Sequence, residues 1–230
     1  MNRNRMKGTM KRWRGWSLAT CLVALVTLTS CHESDDSVEE FANWQETNEA
    51  RFNDLYTQAT QKIAAGDTRW KILTQWSLEE KVATRPENHI IVHVLEEGKG
   101  SGCPLYTDSV RIHYSGKLLP SASFASGYTF DKSYYGTFDP ATSRPSTMLC
   151  SSTIDGFTTA LMNMHIGDKW EVYIPYQLGY GKGGTTNSNG GQDIPGYSML
   201  IFNISLVSYY RAGITPIPFQ AKGNPIWIEQ

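Results

Sequence analysis

A change of hydrophobic period is what most limits the fold open to this chain. Ile90-Ile91-Val92-His93-Val94-Leu95 is short, rich in β-branched residues and followed by Gly98, Gly100 and Gly102, the pattern of a strand running into a loop. Val110, Ile112 and Tyr114 then alternate with Arg111, His113 and Ser115, the period of two expected of a half-buried strand. Pro145 to Cys150 should return to the same sheet, Trp170, Val172 and Ile174 alternate again, and Met199 to Val207 supplies a last strand. Only Asp155 to His165 breaks this rhythm. There Phe157, Ala160, Leu161 and Met164 fall three and four apart ahead of Gly167, which predicts one short helix lying across the sheet. Many short strands around a single helix make an α+β architecture, with a curved antiparallel β-sheet wrapped around the helix.

An N-terminal helical extension precedes this unit. Ser37-Val38-Glu39-Glu40 reads as a capping box, so a helix should start there. Phe41, Trp44, Phe52, Leu55, Ala59 and Ile63 share one face of it, Asn48 interrupts the stripe, and Gly66 is the stop. Such a helix serves either as a dimerisation or client-holding arm or as a packing element of its own domain; the oligomeric state stays open. From Thr68 to Asn88, Trp70, Leu73, Trp76 and Leu78 anchor a mixed pattern read as short helix and connector, with Ser77-Leu78-Glu79-Glu80 as a second helix start. After the last strand, Pro216, Pro218, Pro225 and Trp227 follow no regular period. The chain thus divides into 1–31, 32–88, 89–210 and 211–230.

The first of these segments has the build of a secretory leader. Arg3, Arg5, Lys7, Lys11, Arg12 and Arg14 stand before an apolar run from Leu18 to Leu28, too short for a confident membrane span. Leu28-Thr29-Ser30-Cys31 resembles the lipobox after which bacterial lipoproteins are cut and acylated; the alternative is a plain leader with Cys31 incidental. Six of the 21 basic residues lie before Cys31, so the remainder carries 15 bases against 22 acids, about −7. No basic patch is left for nucleic acid. His32 to Ser37 is an acidic stretch that is either a solvated linker or a tether resembling those of surface lipoproteins. A lipid-anchored protein of the bacterial cell envelope, at the outer membrane and either periplasmic or surface-exposed, is the expectation, with the bilayer met through an acylated Cys31.

In order along the chain stand V-R-I-H-Y-S-G-K-L from Val110, T-F-D-K-S from Thr129, I-D-G-F-T-T-A-L-M-N-M-H-I-G from Ile154, I-P-Y-Q-L-G-Y-G from Ile174, and I-P-G-Y-S-M-L-I-F-N-I-S-L-V from Ile194. This succession, over roughly half the chain, resembles the FKBP-type peptidyl-prolyl isomerases. The resemblance implies cis-trans isomerisation of X-Pro bonds in envelope or exported clients, by an apolar pocket walled by Tyr114, Phe130, Ile154, Phe157, Tyr180, Ile194 and Phe202. It further implies that the Tyr180 hydroxyl and the Ile154 N–H hold substrate carbonyls, while Asp131 bonds to Tyr114 and sets the field beside the twisting carbonyl. No cofactor, metal or nucleophile is called for. Two departures stand out: the family's pocket floor is normally tryptophan where this chain has Phe157, and Ser146 and Met148 stand where an aromatic is frequent. The Pro120 to Gly127 loop is also longer than the family's usual hairpin. These departures motivate the alternative of a non-catalytic chaperone that holds proline-containing peptides; a surface interaction lipoprotein using the fold as scaffold is a third reading.

The same resemblance places Cys103 just before the strand opening at Ser109 and Cys150 at the end of its neighbour, so a disulfide is open to them, as are two free thiols. Gly179-Tyr180-Gly181-Lys182-Gly183-Gly184 fits G-x-G-x-x-G, but Thr185 to Gly191 reads as a loop, and a dinucleotide site needs a helix there. That loop is expected to overhang the pocket mouth. His32, His89, His93, His113 and His165 show no metal-ligand spacing with the cysteines, and no Gly-x-Ser-x-Gly elbow suggests acyl transfer.

Overall fold

The computed structural model describes residues 39–186 and 193–213. The leader, Cys31, the acidic tether, the Ser37 cap, most of the pocket-mouth loop and nearly all of the proline-rich tail lie outside the described residues. Among those described, helix α1 (Trp44–Ala64) leads into strand β1 (Trp70–Thr74), then β2 (His89–Glu96), β3 (Ser109–Lys117), β4 (Thr129–Lys132), β5 (Ser146–Leu149), helix α2 (Asp155–Leu161), β6 (Lys169–Ile174) and β7 (Leu200–Tyr210). The strands form one antiparallel sheet in the order β1-β2-β6-β7-β3-β4, with β5 also paired to β3. An α+β chain with a curved antiparallel sheet around one short helix is what the period change predicted.

Alternation dictates which residues line the core. Trp170, Val172 and Ile174 of β6 and Leu200, Phe202, Ile204 and Leu206 of β7 are all buried, with Glu171, Tyr173, Asn203 and Ser205 less so. Arg111 pairs with Ser208 but Ile112 with Leu206, so Val207 is an extra residue and the strand changes phase there. Beyond that bulge Tyr209, not Ser208, carries the apolar face, opposite Val110. Helix α2 lies close against this surface because Gly156 has no side chain: a Cβ there would meet Ile174 Cγ2 at 2.4 Å.

The connector between α1 and β2 differs from the helical reading. Trp70–Thr74 is a strand that pairs antiparallel with β2, from Trp70 opposite His93 to Thr74 opposite His89. Ser77 to Glu80 forms turns rather than a helix start. The mixed pattern hid the strand because Trp70–Thr74 is only partly buried along its whole length, which erases the period of two. His165 also falls beyond α2, in the turn where its N–H donates to Asp168 Oδ2 at 2.7 Å.

Helix α1 packs on its own domain. Its buried residues are Trp44, Asn48, Phe52, Leu55 and Ala59, while Ile63 is exposed. Asn48, which appeared to break the stripe, belongs to it: its amide donates to Trp44 O at 2.7 Å and accepts the Met199 N–H at 2.9 Å. Trp44 Nε1 donates to Ser198 Oγ at 2.8 Å. Helix α1 begins at Trp44 rather than beside Ser37, and the Glu40 carboxylate accepts from Ser121 Oγ at 2.5 Å and from the Ser123 N–H at 3.1 Å, contacts that hold its pKa below the ordinary value. The helix runs to Ala64, and Gly66, at φ 85°, takes the left-handed conformation expected after a helix C-terminus.

The disulfide open to Cys103 and Cys150 is not formed; both are free thiols. Cys150 opens a turn of 3-10 helix at the end of β5 and is buried in the apolar core, whereas Cys103 Sγ faces His165 Nε2 at 3.7 Å. Burial pushes both thiols up, Cys150 to about 12 with the nearby Asp108 charge adding to it. Replacing Asn48 by Ala leaves a buried Met199 N–H without its acceptor. The expected cost is about 1–3 kcal/mol, read as a lower urea midpoint at unchanged slope.

Candidate active site

The site grows from an irregularity at the end of β3. Gly116 pairs with Asp131 and Lys117 with Thr129, so Phe130 is the unpaired residue of a bulge. Such a bulge re-aims a side chain, and Phe130 turns over Gly116 toward Phe202 of β7, which itself pairs with Gly116. A Cβ at Gly116 would stand 2.5 Å from Phe202 Cε1 and 2.6 Å from Phe130 Cζ. The glycine is therefore required by packing, not by its dihedral angles.

From that point the rings continue edge to face. Phe130 and Phe202 lie 5.5 Å apart at 87°, Phe202 and Phe157 4.9 Å at 80°, and Phe157 and Tyr114 5.9 Å at 81°. These separations and angles suit the positive ring edge against the negative ring face. Phe157, from α2, and Phe202 are buried; Tyr114 and Phe130 are half-buried. The structure thus brings four of the expected wall residues into one continuous cluster. Ile154 is the residue before α2, with an extended backbone at ψ 151°, and its N–H donates to no group among the described residues. Ile194 is buried and forms an isolated antiparallel bridge with Thr185, closing the base of the loop between them. Gly181 to Gly183 runs on in a turn that leads to the Thr185 bridge, and no helix begins there among the described residues.

Polar groups collect at one edge. Tyr114 donates its hydroxyl to Asp131 Oδ2 at 2.8 Å. Burial first, and then the bonded Asp131 carboxylate, pushes the Tyr114 phenol well above its ordinary value. Tyr180, with 37% of its surface exposed, is raised for the same two causes, burial and the Asp131 charge, and adds to the shift of Tyr114. Both phenols are thus held as neutral donors beside one carboxylate. Ser146 pairs with Ile112 and Met148 with Val110, where Met148 packs against the core. Sequence reasoning missed Gly116; its place between Tyr114 and Phe130, in a strand otherwise free of glycine, was the available signal for close approach.

The family described as FKBP-type peptidyl-prolyl cis-trans isomerase matches residues 103–207 of this chain. The chain is 35% identical over 121 residues to the FKBP-type 22 kDa peptidyl-prolyl cis-trans isomerase of Escherichia coli (strain K12), covering 53% of this chain and 50% of that one. It is 32% identical over 139 residues to the macrophage infectivity potentiator of Trypanosoma cruzi, covering 58% and 62%. A solved peptidyl-prolyl cis-trans isomerase from Pseudomonas syringae pv. tomato aligns with a TM-score of 0.47 at 25% identity, over 71% of this chain and 96% of that one. The chain spans less than two thirds of the length of either curated relative.

Two outcomes are expected of these contacts. Gly116→Ala should force Phe130 and Phe202 apart and weaken binding of a proline-containing peptide by about tenfold or more, with far-ultraviolet circular dichroism unchanged; a loss of that size is about 1.4 kcal/mol. Because the Tyr114 phenol is raised in the folded state, its contribution to stability is complete below the unfolded value near 10.0 and fades as the pH climbs through the higher folded value. Stability should therefore fall with pH above about 10 more steeply in the unaltered protein than in Tyr114→Phe, as measured by urea unfolding at successive pH values.

Proposed function

We propose that this protein catalyses cis-trans isomerisation of X-Pro bonds in envelope or exported proteins, with the Tyr114-Phe157-Phe202-Phe130 cluster as its pocket. The observation that carries this reading is the run of edge-to-face rings ending at a Tyr114–Asp131 hydrogen bond. Resonance gives the prolyl amide a rotational barrier of about 18–20 kcal/mol, and uncatalysed exchange takes tens of seconds or more. Rotation removes the charge separation that resonance places on oxygen and nitrogen. Apolar walls penalise the planar states more than the twisted one, which is differential binding of a transition state.

Phe157 and Phe202 supply the floor and a side wall for the proline ring, Phe130 the opposite side, and Ile194 the rim. Tyr180 donates its hydroxyl to one substrate carbonyl, and the free N–H of Ile154 to another. Asp131, tied to Tyr114, repels negative charge on the carbonyl oxygen and so disfavours the resonance form that resists rotation. None of these steps calls for a nucleophile or a cofactor. The leader ending at Cys31 supports export and lipid anchoring at the bacterial envelope, with 32–88 as tether and helical extension before the 89–210 domain and 211–230 as tail.

A second reading rests on Phe157. Phenylalanine at the floor lacks an indole N–H and some area, which suits a chaperone that holds proline-containing segments with little turnover. Exchange spectroscopy by NMR on a proline tetrapeptide, with the full chain in detergent, separates the two. Isomerase action predicts acceleration that Phe130→Ala and Tyr180→Phe each reduce by about tenfold or more, about 1.4 kcal/mol of transition-state stabilisation. Binding without acceleration favours the chaperone, and equal rates for all three proteins remove the catalytic assignment.

A further inference from the structure

Residues before the matched family segment touch the candidate site at more than one place. From the turn after β1, Trp76 Nε1 donates to Asp155 Oδ1 at 3.2 Å and Gln75 Nε2 to Asp155 Oδ2 at 3.0 Å. The Trp76 N–H donates to Thr159 Oγ1 at 3.1 Å, and the Trp76 ring stacks on Tyr106 at 4.3 Å. Asp155 and Thr159 bracket Phe157 on α2, and Asp155 follows Ile154 directly. At a separate place, Trp44 and Asn48 of α1 hold Ser198 and the Met199 N–H, and Ser198 Oγ donates to Pro195 O at 2.7 Å, one residue from Ile194.

We propose that the segment from Trp44 to Trp76 is a positioning collar for the pocket, with Gln75 and Trp76 as positioning residues that set where α2 presents Phe157 and the Ile154 N–H. Helix α2 has seven residues, and Ile154 gives it no side-chain cap. A helix that short has no stability of its own in water, so its placement comes from tertiary contacts. The contacts from Gln75 and Trp76 fall on its first two turns, on the side chain of Asp155 and the hydroxyl of Thr159. They cost the site nothing in access, since neither residue is one of the pocket walls. The helix that could have been an arm for a partner is instead folded back as part of the scaffold, and the turn after β1 completes the grip.

This inference rests on the isomerase reading, and its test keeps the two apart. Trp76→Phe retains an aromatic face for Tyr106 but removes the indole donor; Gln75→Ala removes the second donor. In the full chain in detergent, line-shape and exchange NMR on a proline tetrapeptide gives kcat and KM separately. The collar predicts that the double variant loses about three- to tenfold in kcat while KM moves less than about twofold, with the melting temperature largely kept. An unchanged kcat, or a loss that follows only the melting temperature, overturns it. Should the unaltered protein bind the peptide without turning it over, the isomerase reading falls and the collar is judged on the Thr158 amide, whose N–H donates to Ile154 O at 2.9 Å where α2 begins. Its hydrogen exchange must then quicken in Trp76→Phe, and an unchanged rate sinks the proposal.

Discussion

At Gly116 the inner face of β3 carries no side chain, and Phe202 and Phe130 fill the space to within 2.5 and 2.6 Å of where a Cβ would be. Two rings cannot meet over a strand unless that strand yields a position to them. The yielded position is also where the β3–β4 register slips, so that Phe130 is unpaired and free to turn inward. Without the slip Phe130 would keep the alternation of its neighbours; without the glycine it would collide with the strand beneath. The remaining contacts follow in sequence: Phe202 fixed by Phe130 on one side meets Phe157 on the other, and Phe157 meets Tyr114. Each ring presents an edge to the next ring's face, so moving one disturbs its neighbour.

How much of this could be read from residues alone differs by element. Strands β3, β6 and β7 are legible because one face is buried and the other is not, which writes a period of two into the sequence. The ordered blocks from Val110 to Val207 likewise pointed to Tyr114, Phe130, Phe157 and Phe202, which the fold brings into ring contact. Strand β1 was illegible since no residue of Trp70–Thr74 is either fully buried or fully exposed. Asn48 was misread for a related reason: a polar residue on an apolar stripe looks like a defect until its two partners, one of them 151 residues away, are known. Long-range hydrogen bonds leave no periodic trace. The same holds for Glu40, whose carboxylate meets a distant pair of serine groups.

Burying an amide such as Asn48 without partners would cost more than one net hydrogen bond returns. Its presence at 1% exposure therefore implies that both bonds are made in the folded state, and they specify geometry where an apolar residue would only fill space. An apolar stripe slides along a partner surface at small cost; an amide that must meet the Met199 N–H does not. Trp44 adds a second directed contact four residues away, one helical turn, through Ser198. Together they pin α1 in register against the start of β7, whose third residue is Phe202. Directed polar contacts thus set the position of an element whose apolar face supplies most of the attraction.

The same division of labour applies to the pocket. In the proposed isomerase role its apolar rings would act by excluding water from the amide while it twists, and that effect is indifferent to direction. Direction has to come from the edge, where Tyr114, Tyr180 and Asp131 lie close enough for their charges to be felt in one another's titration. Burial and the neighbouring carboxylate hold both phenols above their ordinary values, so neither adds a charge there. The hydrogen bond from Tyr114 restrains the carboxylate at the rim, where it is exposed, rather than over the rings. The Phe130 bulge that brings the ring inward is what leaves the next residue, Asp131, exposed at the edge of the cluster.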